Sequence, residues 1–109
     1  MPPNKAKSPT AEKVIFRVFK HEGGVIALFP EIPGTNDPYT CQSYMHVGQH
    51  ASADPNLLIR ETRLAKPSEY RVLARELRQR GYRLKVIKRL RYVATDVRRK
   101  QIQAMRGNA

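Results

Sequence analysis

Val14-Ile15-Phe16-Arg17-Val18-Phe19 and Val25-Ile26-Ala27-Leu28-Phe29 are the two most strand-like stretches of the chain. Both are dense in β-branched and aromatic residues, the composition of strands. Between them lies His21-Glu22-Gly23-Gly24, where glycine supplies a positive φ at no steric cost. The pattern predicts an antiparallel hairpin. Its second strand is apolar at every position, as expected of a strand covered on both faces. The first carries Arg17 and is expected at or near an edge, where it could pair with another copy.

After the hairpin, Pro30, Pro33, Gly34, Asn36, Asp37 and Pro38 predict a loop. Tyr39 to Val47 alternates imperfectly and reads as a third strand, and Gly48 to Asn56 as a polar loop. Leu57 to Ala65 reads as a short helix with Asp54 as its N-cap, or else as an extended connector. The clearest helix begins at Pro67, since proline is favoured at the first helical position. Tyr70, Leu73, Ala74 and Leu77 make one apolar stripe on it, and Gly81 ends it. Leu84 to Tyr92 reads as a last strand, with Leu84, Val86, Lys88, Leu90 and Tyr92 on one face and Lys85, Ile87, Arg89 and Arg91 on the other. Thr95 or Asp96 could cap a helix from Val97 to about Met105, too poor in apolar residues to be stable alone. The fold class expected is α+β: a small, mostly antiparallel sheet of three to four strands with one main helix on one face, in the order β-β-β-α-α-β.

At 109 residues the chain is long enough for one modest core. Three units are expected: a basic, Pro-rich flexible arm over 1–12, one domain over 13–92, and a basic extension over 93–109. No apolar run is long enough to span a bilayer, and the basic N-terminus leads into no apolar segment of a secretory signal. The single cysteine, Cys41, cannot form an internal disulfide, which fits a reducing, cytoplasmic setting.

The net charge of +12 is lopsided. Residues 1–59 hold five Lys/Arg against five acids, whereas residues 60–109 hold sixteen against four. Such asymmetry makes a field that attracts polyanions. Most of the sixteen are arginines, whose forked guanidinium binds phosphate bidentately and stacks on bases. Arg71, Arg75 and Arg78 on the helix, Lys85, Lys88, Arg89 and Arg91 on the last strand, and Arg98, Arg99 and Lys100 beyond it are the candidate nucleic-acid contacts, expected to form one patch. Tyr82 and Tyr92 flank the strand and could stack on bases. An acidic protein would satisfy the same field.

Cys41 to Asp54 is the densest polar segment. Cys41, His46, His50 and Asp54 are residue types that bind zinc, but the spacing matches none of the common structural sites. Strand parity also puts Cys41 and His46 on opposite faces. No metal and no other cofactor is expected. Ser43, His46 and Asp54 are the residue types of a catalytic triad, without a nucleophile turn or an oxyanion donor beside them, so no enzyme is expected. The simplest role for His46 is to hydrogen-bond and pin the loop.

Five segments carry a resemblance: Val14–Arg17, Val25–Pro33, Cys41–His50, Lys66–Tyr70 and Gly81–Val86. Together they resemble a family of small uncharacterised proteins of bacteria, their phages and conjugative elements, over roughly residues 13–91. That family has no established activity, so the resemblance implies a mobile-element context and marks Tyr44, His46, Gln49 and His50 as family-typical polar positions. The Arg-rich helix and basic C-terminal extension depart from it. The function expected is that of a nucleic-acid-associated accessory protein held mainly by phosphate contacts. The alternative is a modulator of a host or phage protein that binds through the Pro30–Pro38 loop and the Tyr44–His50 segment.

Overall fold

The computed structural model describes residues 11–46 and 49–107. The elements in chain order are β1 (Glu12–Phe19), β2 (Val25–Pro33), β3 (Cys41–Met45), β4 (Gln49–Ala53), α1 (Pro55–Glu61), β5 (Thr62–Leu64), α2 (Pro67–Gln79), β6 (Leu84–Val86) and α3 (Val93–Gly107). The fold is α+β, an open and mainly antiparallel sheet in the order β4-β3-β2-β1-β5 with three helices.

The hairpin forms as its sequence predicts: Ile15 faces Leu28, Val18 faces Val25, and Gly23 takes φ 76° in the turn. However, β1 is interior. Its outer edge is shared, with Arg17–Phe19 pairing antiparallel with β5 and Glu12–Val14 pairing parallel with β6. Two three-residue strands therefore cover the edge that the sequence leaves open. At the far end, Gln49–Ala53 is a strand rather than a loop and sets His50 opposite Tyr44. Gly34 lets the loop after β2 press on this end: a Cβ there would lie 2.6 Å from the Cys41 carbonyl oxygen and 2.7 Å from Ser52 Cβ.

Strand alternation divides the core between the two faces. Val14, Phe16 and Val18 join Ala27, Phe29 and Tyr44 beneath Leu73, Ala74 and Leu77 of α2. Tyr70 stacks on Phe16 with ring centroids 4.4 Å apart. Pro67 stands in the first turn, and the Glu69 carboxylate accepts from the Lys66 backbone N–H 2.9 Å away. At the other end Gly81 (φ 100°) donates to the Arg78 carbonyl and Tyr82 N–H to that of Leu77, the two bonds of a Schellman cap.

The opposite face is also covered, which corrects the expectation of a helix on one face only. Ile15, Ile26, Leu28 and Cys41 pack there with Leu58 of α1 and with Ile87 and Leu90. Asp54 caps α1 by accepting from the N–H groups of Asn56 and Leu57, as its position predicts. The last strand ends at Val86, so the two-faced comb expected over Leu84–Tyr92 does not form. Leu90 packs in the same cluster as Ile87, which continued strand alternation would forbid.

The C-terminal helix is longer than its sequence predicts, starting at Val93, and it is docked. Ala94 and Ile102 are buried, and Gln101 Nε2 donates to the Glu31 carbonyl at 2.9 Å. Arg98, 2% exposed, donates to the carbonyls of Pro38 (2.8 Å) and Pro30 and to Thr95 Oγ1. The β2–β3 pairing is irregular between Phe29 and Pro33, which leaves the Pro30 carbonyl for that guanidinium. No helix is long and apolar enough to cross a membrane among the described residues.

Candidate nucleic-acid interface

After Val86 the chain leaves the sheet and runs irregularly to the start of α3. Ile87 and Leu90 turn inward onto the sheet and Ile87 N–H donates to the Val14 carbonyl, while Lys88 and Arg89 between them and Arg91 just after stand outward. This ridge separates two grooves that share Lys88, Arg89, Leu90, Arg91 and Tyr92.

The first groove, of about 810 Å³, lies between α1 and the beginning of α3. Its charged lining residues are Arg17, Arg60, Lys88, Arg89, Arg91 and Arg98, with no acid among them. The second, of about 910 Å³, adds Lys13 and Lys85 to the ridge and is also lined without an acid. Low-dielectric walls bearing a single sign of charge focus a field at such a surface.

Not all of these cations are available. Arg17 Nε donates to Thr62 Oγ1 (2.9 Å), and its second nitrogen donates to the carbonyls of Ile59 and Thr62. It therefore closes the C-terminal end of α1, where helix carbonyls would otherwise present negative charge. Arg98 is consumed by the loop carbonyls, and this buried role removes it from the candidate phosphate contacts. Lys13 pairs with Glu31 at 2.9 Å. By contrast, the side chains of Arg60, Lys85, Lys88, Arg89 and Arg91 make no hydrogen bond or ion pair among the described residues. Arg60 stands out by no pattern in the sequence, since it lies in the stretch readable as helix or connector.

The expected single patch divides in two. Arg71, Arg75 and Arg78 are exposed on α2, which covers the Phe16/Phe29 face. Leu90, at the centre of the ridge, packs on the opposite face, so most of the ridge lies across the sheet from the α2 arginines, while Lys88 at its near end borders a small cavity with Pro67 and Tyr70 at the start of α2. Arg99 pairs with Asp96 at 3.2 Å and stands over the Tyr39 ring, while Lys100 is exposed. Of the two tyrosines expected near the patch, Tyr82 is buried and stacks on Phe29, whereas Tyr92 is 99% exposed.

Tyr44, His46 and His50 lie in a separate cluster beside the C-terminal half of α2. Glu76 accepts from the Tyr44 hydroxyl with one carboxylate oxygen and from His46 Nδ1, 2.6 Å away, with the other. His50 packs edge-on against Tyr44 and approaches the Tyr82 hydroxyl at 3.3 Å, and Arg80 lies over the Tyr44 ring. Burial, aided by Arg80, lowers the His50 pKa. Gln49 lies in β4, but its side chain is outside the described set. Glu76 is a member that no sequence pattern distinguishes, because Arg80 at i+4 offers it a partner within the helix.

The four metal-type residues do not converge. Cys41 is buried on the α1 side and burial pushes its thiol pKa up to about 11; Asp54 caps α1; His46 and His50 face α2 and Tyr82. No cluster of three or more metal-binding side chains occurs among the described residues. Ser43 donates to the Ala51 carbonyl within the sheet, away from His46. Comparison with family models, with curated proteins and with solved structures returns no match.

Proposed function

We propose that this chain binds nucleic acid through the Lys88–Tyr92 ridge and the two grooves beside it. One observation carries the reading: both grooves lack acidic lining residues, and the exposed cations they share have no partner among the described residues. Leaving like charges together on a fold costs self-repulsion, which a polyanion relieves. The family resemblance adds a phage or mobile-element setting to this proposal.

An electrophoretic mobility-shift titration over a salt series tests it. Neutralising about four phosphates gives a log–log slope near −3.6 on duplex and about −2.8 on single strands. The combined K88A/R89A/R91A variant should flatten the slope by about 1 for each phosphate contact it removes. Removing Arg71, Arg75 and Arg78 should change the slope less, because α2 lies across the sheet from most of the ridge. Absence of binding at low salt, or affinity indifferent to salt, sinks the proposal. A protein partner retained after nuclease treatment would instead favour a modulator that uses an acidic protein surface.

A further inference from the structure

We infer that the groove between α1 and α3 takes an unpaired base, so that the ligand of this protein is single-stranded nucleic acid rather than duplex. The inference rests on the nucleic-acid reading above and adds the substrate class.

The charges of the groove alone would suit any polyanion; its apolar part is more selective. Ile59 and Leu90 are half-buried within it, and the Tyr92 ring is 99% exposed at its edge. Nothing in the described fold uses that ring: it stacks on no aromatic side chain and has no hydrogen-bond partner. A solvated tyrosine beside a concave apolar surface, flanked by Arg89 and Arg91, matches the requirements of an unstacked base. The ring and aliphatic side chains meet the base while the guanidinium groups meet its phosphates. A duplex cannot use them in this way, because its bases are stacked inside and it offers the protein a convex array of phosphates. At about 810 Å³ the groove has room for a nucleotide-sized group.

The backbone adds little charge of its own to the groove. The carbonyl end of α1, which would repel phosphate, is tied to Arg17. At the start of α3 the Ala94 and Thr95 N–H groups already donate to the Arg91 and Tyr92 carbonyls, and Asp96 stands in the first turn. The anion is therefore left to the exposed guanidinium groups beside the apolar floor.

The test is fluorescence anisotropy with a labelled single-stranded oligonucleotide and with the blunt duplex made from it, at one salt concentration. The single strand should bind roughly tenfold more tightly than the duplex, the size of effect expected for one stacked base. Tyr92→Ala should lose about that factor on the single strand with an unchanged salt slope, should change duplex binding little, and should be rescued by Tyr92→Phe. Because Tyr92 is exposed, circular dichroism should show these variants folded. Equal or tighter binding of duplex, or a Tyr92→Ala protein that binds single strands like wild type, overturns the inference while leaving the polyanion reading intact. Failure of both probes to bind at low salt removes both.

Discussion

Arg98 and Arg17 line the same groove as Arg60, Arg89 and Arg91, yet the two groups have opposite histories in the fold. The first pair donates to the carbonyls of Pro30, Pro38, Ile59 and Thr62, closing a loop and a helix end. The second set stays in solvent with no partner among the described residues. A guanidinium acts as an internal cross-link where backbone carbonyls are left over, at an irregular strand and at a helix C-terminus. Where no such carbonyl is left over, the same group stays in solvent. Charge counting cannot separate the two uses; the placement of unpaired carbonyls can.

Deleting one member of each group separates the two uses. Arg98→Ala leaves the buried Pro30 carbonyl without its donor and opens a void between α3 and β2. The expected loss is about 3 kcal/mol, since hydrogen bonds to charged groups and stranded acceptors are the costly ones. In thermal unfolding that corresponds to a fall in Tm of roughly 15 °C. Arg91→Ala should stay within about 0.5 kcal/mol of wild type, as exposed substitutions do. Similar Tm values for the two variants would mean that Arg98 is not a cross-link.

The same distinction explains what was legible in the sequence. The hairpin, the Asp54 and Gly81 caps and the apolar stripe of α2 follow from local chemistry, and all are present. The missed pieces depend on distant partners. Strand β5 has three residues, too few to show a period, and exists because β1 offers it an edge, while β6 keeps only the first three residues of the strand expected over Leu84–Tyr92. Helix α3 is poor in apolar residues and is held by Arg98 and Gln101 reaching carbonyls some seventy positions away in sequence. The basic segment after Gly81 was legible as charge. Its division into a ridge on one side and α2 arginines on the other was not, because the faces are assigned only when Leu90 packs beside Ile87.

A second contrast, smaller in energy, sets Tyr44 against Tyr92. Tyr44 is buried with its hydroxyl on Glu76, whereas Tyr92 is solvated. Tyr44→Phe should cost about 1 kcal/mol, the usual net worth of such a hydrogen bond, and Tyr92→Phe almost nothing, measured by urea unfolding at constant m. If Tyr44→Phe is as silent as Tyr92→Phe, the Glu76 cluster does not hold β3 to α2. The cluster would then be a better candidate for a functional site than for a structural one.

Arg63 supplies the smallest effect and an intermediate case, a cation already engaged but exposed. Its two guanidinium nitrogens grip the Glu69 carboxylate at 2.8 and 2.6 Å, while the Lys66 N–H also donates to it. The Arg63 hydrogen bonds, followed by that of Lys66, hold the Glu69 pKa down at about 2, below its ordinary 4.5. A carboxylate with a lowered folded-state pKa contributes stability that is fully present above the unfolded value. That contribution disappears as the pH falls from about 4.5 through about 2. The Tm difference between wild type and Arg63→Ala should therefore be constant above pH 4.5 and narrow steadily below it. Other carboxylates titrate alike in both proteins and cancel in that difference. A gap that stays fixed down to pH 2 would assign the effect of Arg63 to packing of its methylenes, because packing does not titrate.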